Sequence, residues 1–285
     1  MQTTRVAILG LGAMGSRIAT NLLGAQYPVT VWNRSTQPVE ALSSLGATVA
    51  HTPKQAAEET DVVISIVTDN DASKAVWAAP DTGAIFGLTA DKIAIEMSTL
   101  TASWAEELAH TISQQGSKFL AAPVVGSRPQ AEAQKLISLV GGDASTLEKV
   151  SAILASSSAA IHYIGSVPQA MTMKLAVNAL FGIQVAAIAE LLGLLKQQGI
   201  IPTAAMDCLS QLPVTSPAAK GAGTLMTAEN HTPMFPIHLV EKDFRYACAG
   251  GINTPTTTAI RQIFQAAIAQ GYGNENITAI AHLFL

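Results

Sequence analysis

Residues 10–15 read Gly10-Leu11-Gly12-Ala13-Met14-Gly15, and no other stretch narrows the possible folds as much. The run before it, residues 5–10 (R-V-A-I-L-G), is short and aliphatic, as a buried parallel strand requires. A helical pattern follows through Leu23, then a second strand at residues 29–33 (V-T-V-W-N). Strand, glycine turn, helix and strand in this order are the context a dinucleotide fingerprint needs. Gly10 permits the tight turn, Gly12 lets a pyrophosphate approach the backbone, and Gly15 lets the helix pack close to the sheet. Leu11, Ala13 and Met14 complete the same seat, where the helix start offers N–H groups to phosphate.

The end of the second strand bears on which dinucleotide. A preference for NAD usually places Asp or Glu there, to bind the ribose hydroxyls. This chain has Asn33-Arg34-Ser35-Thr36. Arg34 can pair with a 2′-phosphate and the neighbouring hydroxyls can add hydrogen bonds, which points to NADPH. The plain alternative is a surface arginine in a loop.

Strands and helices keep alternating to residue 165. The further strands are expected at residues 48–50, 61–67, 92–97, 118–122, 136–140 and 159–165, with helices at 38–45, 53–59, 102–115 and 144–154 and another through Ala78. A doubly wound sheet binds ligands beyond the carboxyl ends of its strands, where Val67, Thr68 and Thr99 fall. The threonine hydroxyls are cofactor candidates or helix caps; for Ser98 and Thr101 capping is the expected role. The Val125-Gly126-Ser127 turn offers backbone N–H groups to an anion, or is a connecting loop.

After Pro168 the β pattern stops. Residues 169–198 hold no proline and are rich in Ala, Leu, Met and Gln, so one long helix of roughly 45 Å is expected. Its apolar positions run nearly all the way round, which predicts burial on several sides. Lys174 and Asn178 lie four apart on one face, near its start. A lysine there can be a snorkelling side chain or a functional one. A membrane span is rejected, because Asn178, Gln184 and Glu190 spread polar groups around the helix and no basic flank orients it. Further helices are expected at 203–211, 236–250, 255–270 and 278–285, separated by turns at Pro213, Pro217, Gly221, Gly223 and Pro233.

Hydrophobic residues make up 49% and charged residues 13% of the 285, which marks a core-rich chain with room for two domains. A net charge of −4 with scattered basic residues argues against nucleic acid. Cys208 and Cys248 match no metal or redox spacing, and no metal site is expected. A strand within a few residues of Met1 leaves no room for a leader, so the cytoplasm is the expected compartment.

Five segments in order resemble the β-hydroxyacid dehydrogenase family. They are the glycine turn with Met14 inside it, Ser98-Thr99, the run from Ala122 to Ser127, the Lys174/Asn178 helix, and F-P-I-H-L-V-E-K-D ending at Asp243. S-R-P-Q-A-E-A at 127–133 and Ser216-Pro217 with Lys220-Gly221 look closest to the glyoxylate/succinic semialdehyde reductase branch. The resemblance implies an α/β fold: a Rossmann-type NADP-binding domain at 1–165, a long interdomain helix, and an all-helical substrate and dimerisation domain at 166–285. It implies an oxidoreductase that reduces small aldehyde- or keto-acids with NADPH, with Lys174 as general acid/base and Asn178 holding substrate or lysine. Lys242 matches a second family lysine at the nicotinamide end of the cofactor, and its charge is expected to help lower the pKa of Lys174. Val125 stands where family members often carry the serine that binds the substrate carboxylate, so that contact falls to Val125, Gly126 and Ser127 backbone with the Ser127 hydroxyl or Arg128. The alternatives are an imine reductase and a non-catalytic nucleotide-binding relative; retention of Lys174 counts against both. A homodimer is expected.

Overall fold

The computed structural model describes residues 3–251 and 253–285; Met1, on which the leader argument rests, lies outside them. The chain forms two compact units, residues 1–174 and 175–285, dividing inside one long helix.

The first unit opens with β1 (Val6–Leu9), α1 (Gly15–Gly24), β2 (Val29–Trp32), α2 (Gln37–Ser43), β3 (Thr48–Val49) and α3 (Pro53–Glu58). It continues with β4 (Val62–Ser65), α4 (Asn70–Ala78), β5 (Ile93–Glu96), α5 (Ala102–Gln114) and β6 (Lys118–Ala121). These strands lie parallel in the order β3-β2-β1-β4-β5-β6. The order reverses between β1 and β4, so the crevice of this sheet opens at the carboxyl ends of those two strands. Ile8, Leu9, Ile64, Ile95 and Leu120 are fully buried, each stabilising by about 1.5–3 kcal/mol. Burial of both sheet faces explains why these strands read as continuous apolar runs.

The sheet then changes character. β7 (Val124–Val125), α6 (Arg128–Glu132), β8 (Leu136–Gly142), α7 (Ala144–Ala155) and β9 (Ser158–Gly165) complete it. β8 runs antiparallel to both β6 and β7, and β9 parallel to β8. α6 is a helix where the sequence reads as loop; it is nucleated by Ser127 at its N-cap and Pro129 in its first turn.

α8 (Val167–Gln197) runs unbroken for 31 residues. Pro168 sits in its first turn, where a missing N–H costs nothing. By length and composition it could cross a membrane, yet half of its most apolar stretch is buried in the protein. Val167, Ala170 and Met171 join a core of the first unit, and Ala179, Val185, Ala186, Ile188, Ala189 and Leu192 the core of the second. Leu180, Leu191 and Leu194 are 60%, 45% and 52% exposed, so part of the helix surface stays uncovered in the single chain.

The second unit adds α9 (Pro202–Leu209), α10 (Pro217–Thr227), α11 (Ile237–Cys248) and α12 (Pro255–Ala269). α10 corrects the turns expected at Pro217, Gly221 and Gly223. Ser216 accepts the Ala219 N–H at 3.1 Å as N-cap and Pro217 occupies the first position. Gly223 serves close packing there, since a Cβ would stand 2.5 Å from Met206 Sδ. The expected final helix is instead a 3-10 segment, Ile277–Leu283.

Candidate functional site

The glycine turn leaves the carboxyl end of β1. Gly10 has φ +98°, and a Cβ there would lie 2.4 Å from Ile66 O. A Cβ on Gly15 would lie 1.9 Å from Gly10 O, so both glycines are demanded by the protein's own backbone. Gly12 differs: its Cβ would meet nothing within 4 Å. Glycine at that position keeps open a space that none of the described residues fills. Among the described residues, no hydrogen bond within the protein takes the N–H of Gly12, Ala13 or Met14, and Gly12 and Ala13 are exposed. An open backbone with three outward donors before a helix fits a pyrophosphate.

Two of the expected contacts are already committed within the fold. Leu11 N–H donates to Asn33 Oδ1 at 2.9 Å, and Asn33 Nδ2 donates to Ser35 O and Oγ at 3.0 and 2.8 Å. Asn33 therefore ties the glycine turn to the loop after β2 and shapes that loop. Arg34, Ser35 and Thr36 stand exposed on it. Among the described residues Arg34 has no hydrogen-bond or ion-pair partner, so its guanidinium is available for an anion.

At the ends of β4 and β5, Val67 N–H donates to Ser98 Oγ at 2.7 Å. Ser98 is thus a tie between strands rather than the cap expected of it. Asp69 caps α4, accepting from Ala72 N–H at 2.8 Å, and Thr101 caps α5, accepting from Trp104 N–H at 3.3 Å. Neither Thr68 nor Thr99 is a cap; Thr68 is exposed and Thr99 half-buried at the crevice side of the sheet.

Below Ser98 lies a residue the sequence reading passed over. Glu96 is fully buried and accepts from Ser73 Oγ at 2.8 Å, Trp77 Nε1 at 2.9 Å and Ser98 N–H at 2.9 Å. Burial pushes its carboxyl pKa up against the pull of these donors. An acidic residue closing an apolar strand was the available signal.

The turn after β7 holds Val125, half-buried, and Gly126 at φ +127°. Ser127 N–H donates to Gln130 Oε1 at 3.0 Å, which removes that donor from the anion site expected there. Arg128 Nε is buried without a hydrogen-bond partner.

Lys174, 6% exposed, closes the first unit. One helical turn on, in the second unit, Asn178 Nδ2 donates to Asp243 Oδ2 at 2.6 Å. Asp243 Oδ1 stands 3.0 Å from Lys242 Nζ, an ion pair whose angles fall outside hydrogen-bond geometry. Lys242 also lies 5.2 Å from the Tyr246 ring centre. Asp243 therefore joins two residues the sequence had only placed separately. It also counters the Lys242 charge at close range.

The sequence model described as the NAD binding domain of 6-phosphogluconate dehydrogenase matches residues 5–165. That described as NAD-binding of NADP-dependent 3-hydroxyisobutyrate dehydrogenase matches residues 169–284. Glyoxylate/succinic semialdehyde reductase 2 of Arabidopsis thaliana is 30% identical over 98% of this chain and 78% of its own. An uncharacterised oxidoreductase of Bacillus subtilis is 32% identical over 97% of this chain and 98% of its own. A solved structure of Psf3 with NADP+ and 2-OPP, 23% identical, superposes with a TM-score of 0.90 over 98% of this chain and 100% of that one, a likeness of fold. With an open phosphate seat at Gly12 and both halves of the chain matched, the protein belongs to the β-hydroxyacid dehydrogenase family, oxidoreductases that act on CH–OH groups, and NADP(H) is its cofactor.

Proposed function

We propose that the protein is a reductase of small aldehyde- or keto-acids such as glyoxylate or succinic semialdehyde, with Lys174 as the proton donor. The observation that carries this reading is a buried lysine one helical turn from an amide that the fold holds in place. The cofactor, when bound, supplies the hydride. The Gly12, Ala13 and Met14 N–H groups hold its pyrophosphate, and Arg34 with Ser35 and Thr36 selects the 2′-phosphate. As negative charge develops on the carbonyl oxygen, the Lys174 ammonium gives up a proton to it. In the reverse direction the neutral amine takes the alcohol proton. Asn178, its NH2 group engaged by Asp243, presents its carbonyl oxygen as an acceptor for the ammonium or the substrate hydroxyl.

Val125 offers no hydroxyl to a carboxylate. Gly126 backbone and the guanidinium of Arg128, whose buried Nε has no partner, take over that role in this reading. Relatives named glyoxylate/succinic semialdehyde reductase support the choice of acid. The exposed Leu180, Leu191 and Leu194 share one face of α8 and support pairing with a second copy of the chain.

The test is NADPH consumption with glyoxylate, succinic semialdehyde, tartronate semialdehyde and a cyclic imine, comparing wild type with Lys174→Ala. A loss of about 10²–10⁴ in kcat on an aldehyde acid supports the reading. Full turnover by the variant, or activity confined to the imine, overturns it.

A further inference from the structure

One side chain ties the glycine turn to the loop after β7. Arg17, on α1, donates through Nη1 to Ala13 O at 2.8 Å. Through Nε, at 2.8 Å, and Nη2, at 2.6 Å, it also grips Glu132 Oε1. Glu132 is the last residue of α6, the five-residue helix that begins directly after Ser127. Four positions along α1, on the same face, Asn21 Nδ2 donates to Ala131 O at 2.9 Å and to Ser157 Oγ at 3.2 Å. At the other end of α6, Gln130 Oε1 holds the Ser127 N–H. Turn, helix, short helix and loop thus form a continuous chain of hydrogen bonds inside the first unit.

Arg17 acts on both ends of that chain. Ala13 C=O belongs to the same peptide group as the Met14 N–H, one of the three open donors. A guanidinium on that oxygen draws electron density out of the peptide and makes the N–H a stronger donor to an anion. Glu132 keeps the guanidinium aimed at Ala13 O, and in return α6 is pinned to α1. A helix of five residues has little room to flex, so a shift at Glu132 is passed to Gly126 and Ser127 at its start.

We propose that Arg17 and Glu132 are positioning residues that couple the pyrophosphate-binding turn to the Gly126–Ser127 loop, so that dinucleotide and carboxylate substrate bind cooperatively. This rests on the reading of the two sites given above. Only an arginine can serve, because its planar fork reaches the carbonyl and the carboxylate together, whereas a lysine is a point charge.

Simple electrostatics and the proposal predict opposite signs for Glu132. Removing a negative charge near a polyanionic cofactor should tighten binding on charge alone; the proposal requires it to weaken. The experiment titrates intrinsic tryptophan fluorescence of the full chain with NADP+, alone and with saturating glyoxylate, which the oxidised cofactor cannot reduce. Wild type is expected to bind NADP+ about fivefold tighter with glyoxylate present, the low end of measured coupling. In Arg17→Lys, Glu132→Gln and the double variant this ratio falls below about twofold, with the double no worse than the singles, as members of one linkage behave. Glu132→Gln also weakens NADP+ by itself, while the thermal midpoint of the cofactor-free protein stays near wild type. A wild type that reduces glyoxylate yet shows no coupling, a Glu132→Gln variant that binds NADP+ more tightly, or additive losses would overturn the proposal. A wild type that binds NADP+ but reduces none of the aldehyde acids counts against the substrate reading alone, and the sign of the Glu132→Gln effect on NADP+ still decides the Arg17–Glu132 link.

Discussion

Asn178 donates a hydrogen bond to Asp243 at 2.6 Å across 65 residues of sequence, and the second Asp243 oxygen faces Lys242. All three belong to the second unit, with Asp243 and Lys242 buried. A carboxylate in that position holds an amide and offsets an ammonium at once. Replacing it strips the buried Lys242 of the carboxylate 3.0 Å away, which costs far more than the pair contributes.

Asp243→Ala is therefore expected to destabilise the protein by about 3 kcal/mol, read from urea unfolding. Asp243→Leu with Lys242→Met removes both charges and should recover most of that loss. A single variant within about 0.5 kcal/mol of wild type would mean the pair is solvated in solution.

The three glycines of the turn separate by what their side chains would meet. Gly15→Ala forces a Cβ to 1.9 Å from Gly10 O and should cost roughly 1–3 kcal/mol of stability. Gly12→Ala meets nothing within 4 Å among the described residues and should leave the thermal midpoint unchanged while weakening NADPH binding about tenfold or more, a loss of about 1.4 kcal/mol. Titration calorimetry beside a melting curve distinguishes the two.

Among the described residues Arg34 has no hydrogen-bond or ion-pair partner, so Arg34→Ala should not alter stability. It should raise the KM for NADPH by about tenfold, the size of one exposed charge-assisted contact of about 1.5 kcal/mol, and leave the KM for NADH unchanged. Equal effects on both cofactors would place the 2′-phosphate elsewhere.

Asp143 caps α7, accepting from Ser145 Oγ at 2.6 Å, Thr146 Oγ1 at 2.8 Å and the Thr146 N–H at 3.1 Å. The Ser145 hydroxyl, followed by Thr146, lowers its pKa to about 2. Its folded pKa lies below the unfolded value of about 3.9, so its contribution is complete above that value and is lost as pH falls towards 2. Asp143→Asn should flatten the stability–pH curve between about pH 4 and 2, measured by thermal melts, and lower stability at pH 7, where the wild-type carboxylate contributes in full.

Periodicity and spacing carried most of the fold. The β1–glycine turn–α1–β2 order, the parallel strands and α8 follow from patterns spanning a few neighbouring residues, because burial on one face or two imposes its period directly on the sequence. The Lys174/Asn178 pair was legible for the same reason: four residues make one helical turn. α10 was misread because proline and glycine look alike in turns and in helix starts or close-packed faces. Only the packing against Met206 separates the two uses of Gly223.

By itself the sequence determined an NADP(H)-type turn, its glycines, and a lysine set one turn before an amide. Tertiary structure decided what those groups hold. It committed the Leu11 and Val67 N–H groups to Asn33 and Ser98 and buried Glu96 beneath the strand ends. It joined Arg17 to Glu132 across 115 residues and Asn178 to Asp243 across 65. Such contacts leave no local period. A hydrogen bond depends on an approach within about 3 Å, and that distance is set by how whole elements pack rather than by the residues next in line.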